Sequence, residues 1–478
     1  MLRKAATVRY FSYILGTLFT ILNLFLITSL LDIFQFAVWG VANSLIYIFS
    51  QLGQLTYVQY IEKYFPKFTK EKMDYYLYKF IKTISSLTTI WLLVLFVLEY
   101  VGYFEKFNAN NLYIIFIIIS LLTTVEASIE ISSKYLLALN ETRKFDLYEL
   151  VVFKLSRLII FYFLLINDFS VYYLLLTNLI IRSTFLLNVL NYDKRGIFNI
   201  IKSILFSRVF DDNFKNISYT SKAFILKTLQ VTFLNVIFII LTIFSDNETI
   251  ANYSLGILII NNIRPIISSL SSLLSPIISV NIEKRKDNTQ LLNMVIYING
   301  IIISFITLLT IFVTEYKFII SYFLESFNPN IYSIILISVY ASSIASLYYP
   351  KFMSLLFSNY EKKLLLYFFL NYIGCLGLFY YLSYIYDVNL IFFYIIFELI
   401  NLFISRTMYK KNNNNKERIY VSISFWFISV FVFLKTLNYG FSEAILLTVF
   451  IIFFLIDLKN LYQQFKIFDD LKDSNYGT

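Results

Sequence analysis

The fold is decided by a stretch that occurs twice in the chain. The first copy is Ala37-Val38-Trp39-Gly40-Val41-Ala42-Asn43-Ser44-Leu45-Ile46, and the second, 214 residues later, is Ala251-Asn252-Tyr253-Ser254-Leu255-Gly256-Ile257-Leu258-Ile259-Ile260. Each copy opens an apolar span directly after a short acidic loop. Another pair of matching segments, which begin at Leu136 and Leu355, has the nearly equal offset of 219 residues. Two matches at nearly one offset indicate an internal repeat rather than a chance likeness in a biased composition.

Composition places the chain in a membrane. Of its 478 residues, 59% are hydrophobic and only 15% are charged, whereas soluble domains contain about 45–50% apolar and about 25% charged residues. These proportions exclude a soluble enzyme. The chain has no histidine, and its single cysteine is Cys375. Metal sites, thiol chemistry and cofactors are therefore not expected.

Uninterrupted apolar stretches predict fourteen membrane-spanning helices. They cover residues 10–31, 36–61, 80–101, 112–138, 147–166, 170–191, 218–244, 250–280, 290–313, 331–358, 363–385, 389–409, 419–437 and 441–457. Lysine and arginine concentrate in alternate loops. The basic residues of the opposite loops are only Lys106, Lys317 and Lys435. Because positively charged loops stay in the cytoplasm, both termini are predicted to be cytoplasmic.

The position of the repeat predicts how these helices are grouped. The two copies open the second and the eighth span, an offset of six, so both halves enter the membrane in the same direction, as parallel repeats about an axis along the membrane normal. We predict two six-helix lobes around a central cavity, a geometry suited to alternating access. The predicted domains are an N-terminal lobe over 1–195, an interfacial amphipathic linker helix over 196–216, a C-terminal lobe over 217–411, and two additional helices with a cytoplasmic tail over 412–478.

Charged residues inside the spans are the candidate site. The six basic ones are Lys154, Arg157, Arg182, Lys227, Arg264 and Lys351, and the three acidic ones are Glu126, Glu130 and Glu398. A charge at mid-membrane costs about 2.5–3.5 kcal/mol on insertion scales, so these side chains are expected to face the cavity. The excess of three positive charges predicts an anionic cargo. Arginine favours phosphate, because its guanidinium group binds two oxygens at once.

The acidic residues have two open interpretations. Glu126 and Glu130, four residues apart, form a ridge that could pair with a ridge made by Lys154 and Arg157. Alternatively, the three acids could couple transport to a cation gradient. Arg264 directly precedes Pro265, so a break in that helix would place its guanidinium group beside unwound backbone.

A family resemblance follows from these patterns. The six-plus-six repeat, the two extra helices and the openings Phe36-Ala37-Val38-Trp39-Gly40 and Ile250-Ala251-Asn252-Tyr253 resemble the polysaccharide-export branch of the multidrug/oligosaccharidyl-lipid/polysaccharide (MOP) exporter superfamily. The short turns 140–144 and 359–363 are similar too. The resemblance implies a flippase that moves undecaprenyl-diphosphate-linked oligosaccharide, an O-antigen or capsule repeat unit, across the bacterial inner membrane. It also implies a glycan polymerase and a chain-length regulator as partners, but no nucleic acid.

One departure concerns the cargo. The related lipid II flippases carry arginines in their first two helices, whereas the first span here has none beyond Arg9. This difference disfavours lipid II.

Two other functions compete with the flippase. A cation-coupled multidrug exporter of the same superfamily would have an acid-rich rather than a base-rich cavity. A polytopic glycan polymerase would need a sizeable extramembrane loop, but the longest predicted outer loop spans only 314–330. Since no catalytic constellation appears outside the membrane, the chain is not expected to be an enzyme.

Overall fold

The fold is all-helical in the part of the chain that the structure describes. The computed structural model describes residues 2–65, 68–104, 112–139, 141, 145, 147–191, 217–264, 289–315, 331–357, 361–385, 390–413, 424, 429 and 449–460. These residues contain no β-strand, and among them eight helices are long and apolar enough to cross a membrane. The predicted all-α polytopic membrane fold is confirmed.

The helices are numbered here in chain order. The first eight are α1 Leu2–Leu30, α2 Ile33–Gly53, α3 Tyr57–Tyr64, α4 Lys70–Ser86, α5 Thr88–Tyr100, α6 Leu112–Ala138, α7 Lys154–Ile166 and α8 Val171–Leu190. The described part of the chain continues with α9 Ile217–Phe244, α10 247–264, α11 Thr289–Glu315, α12 Ile331–Phe357, α13 Glu361–Ile385, α14 Leu390–Asn413 and α15 449–460. A π-helical turn, Tyr148–Phe153, leads directly into α7.

The predicted spans agree closely with some of these helices. Span 112–138 coincides with α6, and span 218–244 differs from α9 by one residue. Span 419–437 is described only at Ser424 and Ser429, so the number of fourteen spans stays a prediction. The linker 196–216, Pro265 and Pro276 lie outside the described residues.

Two spans differ from their prediction for local reasons. Span 36–61 is not one helix, because α2 ends at Gly53 and α3 begins at Tyr57, with Leu55 in the left-handed region at a φ of 49°. Span 80–101 is the apolar end of a longer helical segment that begins at Lys70. Hydropathy does not detect the first turns of α4, since they are charged and amphipathic rather than apolar.

The chain forms two compact units. Unit 1 comprises Met1–Leu258, Ser321–Asn328 and Tyr360–Tyr394. Unit 2 comprises Ile259–Ile320, Pro329–Asn359 and Ile395–Thr478. The helices α10 and α14 contribute residues to both units. The lobe boundaries drawn from the repeat stay a prediction.

Helix α6 lies at the centre of unit 1. It packs against α2, α3, α4, α5 and α8. Hydroxyl groups recur every four residues along α6, and each donates to the carbonyl oxygen four residues earlier; they belong to Ser120, Thr124, Ser128 and Ser132. Because these hydroxyls are satisfied within the helix, α6 can bury them among apolar neighbours and still carry charged residues on another ridge.

The outward faces of unit 1 carry rows of exposed apolar side chains. Leu93 and Val97 of α5 are 59% and 60% exposed, and Leu366 and Leu370 of α13 are 56% and 58% exposed. Each pair is spaced four residues apart and so forms a stripe on one side of its helix. Contiguous apolar surface of this kind fits a lipid environment rather than water.

Helices α2 and α10 touch within unit 1 at Gly40 and Ser254. A Cβ atom on Gly40 would lie 1.9 Å from Oγ and 2.4 Å from Cβ of Ser254, so the close approach depends on the missing side chain of glycine. The hydroxyl of Ser254 donates to the carbonyl oxygen of Ile250 at 2.7 Å. Gly40 and Ser254 are the fourth residues of the two copies of the repeated stretch. Equivalent positions of the predicted repeat are therefore in contact.

A fully buried carboxylate connects three segments of unit 2. Asp457 of α15 accepts hydrogen bonds from the Tyr297 hydroxyl of α11 at 2.6 Å and from the backbone N–H and hydroxyl of Ser424 at 2.8 and 2.6 Å. Asp457 is 0% exposed. Ser424 and Asp457 lie at the two predicted C-terminal spans, so both segments are hydrogen-bonded, directly or through Asp457, to α11.

Candidate functional site

The most extensive intramembrane charge arrangement in the described part of unit 1 is built around Arg182 of α8. Its Nε and Nη2 atoms each donate to a carboxylate oxygen of Glu126 at 2.6 Å. Glu149, in the π-helical turn, lies farther away, with its Oε1 atom 3.5 Å from Nη1 and 3.4 Å from Nη2. The guanidinium group also lies over the ring of Phe185, 5.5 Å from its centroid, within the range of a cation–π contact. One arginine thus joins α6, the π-helical turn and α8.

Two further basic residues of unit 1 have carboxylate partners. Lys227 of α9 lies 3.7 Å from Glu130 of α6, and Lys134 of α6 lies 2.8 Å from Glu62 of α3. Glu126, Glu130 and Lys134 follow each other at intervals of four residues, so they form one ridge of α6. Charged partners from α3, α8 and α9 contact this ridge.

Lys154 and Arg157 have a different environment. Both lie on α7, and among the described residues no carboxylate oxygen lies within 4.0 Å of either side chain. The Nε atom of Arg157 is buried without a hydrogen-bond partner in this part of the chain. Lys154 interacts electrostatically with Arg157 and Glu149, and Arg157 with Arg182 and Glu126. We call the set of Glu126, Glu149, Lys154, Arg157 and Arg182 the charge cluster.

The pairing within the charge cluster differs from the ridge pairing that the sequence left open as one interpretation. Glu126 takes its bonded partner from α8, namely Arg182, rather than from Lys154 or Arg157 of α7. Glu130 pairs with Lys227 instead. The reason is the order of helices in space, since α6 packs directly against α8.

Glu149 is missing from the predicted set of intramembrane acids. It stands third in the span 147–166, near enough to the edge to be assigned to the cytoplasm. Its position inside a predicted span was nevertheless a usable signal. With Glu149 included, the charge cluster has three basic and two acidic members, so its formal net charge is +1.

The remaining candidates lie together in unit 2. Arg264 of α10 lies 3.6 Å from Oε1 of Glu398, which belongs to α14. The hydroxyl of Tyr348 of α12 donates to the other carboxylate oxygen of Glu398. The ammonium group of Lys351 lies over the ring of Tyr409, 5.5 Å from its centroid. Glu398 is 0% exposed, so this second charged site is more enclosed than the charge cluster.

Several side chains of the charge cluster are partly exposed and so accessible from outside the protein. The side chains of Arg182, Glu126 and Glu149 are 14%, 26% and 19% exposed. Neighbouring positive groups in an apolar, low-dielectric setting attract an anion more strongly than they would in water. Lys154 and Arg157 are half-buried, and they add two positive groups to the cluster.

Comparison with known proteins is informative at the level of structure. No family model matches the sequence, and no curated protein matches it. Solved structures do match its fold. The lipid II flippase MurJ in an inward closed conformation has a TM-score of 0.58 at 14% identity, over 96% of this chain and 99% of that chain.

Two transporters of the MOP superfamily match as well. An inward-facing multidrug resistance MATE family transporter has a TM-score of 0.54 at 13% identity, over 86% of this chain and 100% of that chain. A MOP superfamily transporter from Pyrococcus furiosus, described as having a binding pocket of reverse polarity, has a TM-score of 0.56 at 12% identity, over 86% of this chain and 96% of that chain. The chain therefore has the fold of MOP superfamily transporters.

Proposed function

We propose that this protein is a flippase that moves a lipid-diphosphate-linked oligosaccharide, an O-antigen or capsule repeat unit, across the bacterial inner membrane by alternating access. The observation that carries the proposal is the charge cluster. Arg157 and Lys154 lie within the predicted span 147–166 and interact electrostatically with Arg182, without a carboxylate within 4.0 Å in the described part of the chain. Charged side chains inside a membrane are costly, and where they occur they usually mark a functional site.

A diphosphate suits these groups chemically. It carries several acceptor oxygens and more than one negative charge, and arginine binds phosphate oxygens in pairs. The lipid tail of such a cargo can remain in the bilayer while its head group occupies the polar interior. The cargo and the membrane lipids are then the partners of the chain. A glycan polymerase and a chain-length regulator of the same biosynthetic pathway are further partners.

The fold supports transport rather than catalysis. Structures with this fold include a protein described as a lipid II flippase and others described as multidrug transporters. The description of the Pyrococcus furiosus protein links the polarity of its pocket to a different function. Pocket charge is therefore a reasonable guide to cargo class within this fold, and here the charge cluster is net positive. Lys227, Arg264 and Lys351 would offer further contacts along the transport path.

The experiment is a flipping assay with the full-length protein in liposomes. The probe is undecaprenyl diphosphate linked to a fluorescent sugar, and a membrane-impermeant quencher reports how much probe reaches the other leaflet. The replacement of Arg157 by glutamine should slow flipping about tenfold or more, since a charge-assisted hydrogen bond contributes about 1.5–3 kcal/mol. Lys362→Gln, at an exposed position near the start of α13, is the matched control and should flip at the rate of the unmodified protein.

The assay has outcomes that would reject the proposal. A protein that does not flip the diphosphate lipid faster than empty liposomes is not such a flippase. Equal rates for Arg157→Gln and the unmodified protein would remove the charge cluster from the transport path.

A cation-coupled multidrug exporter is the second candidate, and one observation favours it. The acids Glu126, Glu130 and Glu149 are 26%, 39% and 19% exposed, so they are accessible enough to bind a coupling cation. This function predicts that an imposed sodium or proton gradient drives a lipophilic cationic dye across the same liposomes. It also predicts that Glu130→Gln abolishes dye transport whereas Arg157→Gln does not.

A further inference from the structure

A carboxylate fills the guanidinium fork of Arg182, and we infer that Glu126, assisted by Glu149, is an internal competitor of the cargo's diphosphate for this arginine. The inference rests on the proposed function and adds how the site regulates its own affinity. In the empty protein Arg182 is occupied by Glu126. In the loaded protein a phosphate group takes the place of that carboxylate.

The geometry of the pair is that of a phosphate complex. The Nε and Nη2 atoms of Arg182 donate in parallel to the two oxygens of Glu126, both at 2.6 Å. A phosphate group is bound by arginine through the same two-pronged arrangement. A carboxylate and a phosphate therefore compete for the same two N–H groups, and they cannot occupy that edge of the guanidinium group together.

Glu149 contacts the Nη1 and Nη2 atoms of Arg182 more loosely. Its contacts to the guanidinium group measure 3.4 and 3.5 Å, so it forms a weaker interaction than Glu126 does. It can keep Arg182 oriented while Glu126 exchanges with a ligand. The π-helical turn that carries Glu149 fits this role, because such turns occur frequently at functional sites.

The surroundings of the fork make exchange possible. Arg182 and Glu126 are 14% and 26% exposed, so the pair is not sealed within the protein. Lys154 and Arg157 are close enough to interact electrostatically with both. An arriving diphosphate can first contact these two cations and then displace Glu126 with its second phosphate group.

Competition of this kind would help the cargo to leave. A flippase must bind its cargo on one side of the membrane and release it on the other. When the diphosphate departs, Glu126 returns to Arg182, so the arginine is not left as an unpaired charge in a poorly hydrated site. The internal carboxylate thus lowers the affinity for cargo and lowers the cost of release.

The test measures how tightly the full-length protein, in nanodiscs, binds undecaprenyl diphosphate, with undecaprenol as the uncharged comparison. Glu126→Gln removes the competitor and should tighten binding about tenfold, the size expected from one charge-assisted hydrogen bond. Glu62→Gln is the matched control. It also neutralises one partner of an ion pair in unit 1, that with Lys134 at 2.8 Å, and so reports the effect of an added net positive charge alone. Its affinity should change by less than about twofold, because its charge lies outside the fork of Arg182.

Each result is decisive. Tighter binding by Glu126→Gln, but not by Glu62→Gln, supports the inference. If the unmodified protein binds the diphosphate but Glu126→Gln binds it equally or less tightly, the inference fails and the flippase proposal stands. If the unmodified protein does not distinguish undecaprenyl diphosphate from undecaprenol, the proposed function fails as well. Should Glu126→Gln not fold, Glu126→Asp replaces it, because the shorter side chain weakens the two contacts at 2.6 Å; a smaller gain in affinity is then expected, and no gain overturns the inference.

Discussion

Arg182 shows how one residue can serve the structure and the site together. Its guanidinium group joins α6, α8 and the π-helical turn through Glu126 and Glu149. Two carboxylates held near each other inside a membrane protein would repel one another without it. The arginine is therefore needed for the packing of three segments, whatever ligand it binds.

We expect Arg182→Gln to destabilise the protein by about 3 kcal/mol, because the loss of one partner of a buried ion pair leaves the other charge uncompensated. The measurement is thermal unfolding in detergent. The double variant Arg182→Gln/Glu126→Gln should recover much of the loss, since it removes one of the two orphaned carboxylates. A double variant that is less stable than Arg182→Gln would contradict this account.

The charged residues of the site were predictable, but most of their partners were not. Arg182 and Glu126 stand out because charges are rare in apolar spans. Which acid meets which base depends on the order of helices in space, and a single sequence does not contain that order. Glu149 was a harder case, because a π-helical turn closes its hydrogen bonds over five residues rather than four. Its orientation relative to α7 therefore does not follow from regular helical spacing.

At the scale of helices, the contact between α2 and α10 depends on the absence of a side chain at Gly40. The Gly40 position has no room for a Cβ atom beside Ser254. By contrast, nothing lies within 4 Å of a Cβ atom placed on Gly374 of α13. The two glycines allow a matched comparison of crowding and helix propensity.

We expect Gly40→Ala to destabilise the protein by about 1–3 kcal/mol, the usual cost of overpacking. Gly374→Ala should be neutral or stabilising by up to about 1 kcal/mol, because alanine favours the helix more than glycine does. Thermal unfolding of both variants, side by side, checks the prediction. Equal effects of the two substitutions would show that α2 and α10 do not cross at Gly40.

The contacts of Asp457 give a second prediction for helices. Asp457→Ala leaves the Tyr297 hydroxyl and the backbone N–H of Ser424 without their acceptor. Unsatisfied buried donors cost about 1–3 kcal/mol each, so we expect a lower unfolding temperature and faster proteolysis near residues 424–457. Asp457→Asn, which keeps an acceptor oxygen, should be affected less. Unchanged proteolysis in Asp457→Ala would show that this carboxylate does not hold the C-terminal segments.

The boundaries of helices were predictable where a helix is predominantly apolar from its first turn to its last. Span 112–138 is an example, since α6 begins and ends at its limits. The break between α2 and α3 was not predictable, because Leu55 adopts a left-handed conformation that its residue type does not favour. The extension of α4 towards Lys70 was missed for a different reason. The first residues of α4 favour a helix but are polar, and a hydropathy profile identifies only apolar segments.

At the scale of the whole molecule, the prediction that remains to be tested is orientation. We expect Glu248→Cys, in the first turn of α10, to react with a membrane-impermeant maleimide in intact cells. Lys362→Cys, near the start of α13, should react only after the inner membrane is permeabilised. Cys375 is buried and is replaced by alanine in both variants to remove background labelling. The reverse pattern of labelling would place the termini outside the cytoplasm.

The all-helical membrane fold could be predicted because it follows from composition, and the solved structures with the same fold agree with it. The division into compact units could not be read from the repeat, since α10 and α14 contribute to both units. A helix that is shared between units is continuous in sequence. Hydropathy and charge therefore do not indicate the residue at which it passes from one unit to the other.

The contact between Gly40 and Ser254 also bears on how the chain arose. If its halves descend from one duplicated gene, the ancestor was a short chain that worked as a parallel homodimer, and this position met its own copy on the two-fold axis. A side chain on such an axis would collide with its own symmetry copy, so only the smallest residues could be accommodated there. In such a lineage, fusion of the two genes would end that restriction, so that one copy could become serine while the other stayed glycine. The pair would then mark the place where the ancestral symmetry axis crossed the second helix.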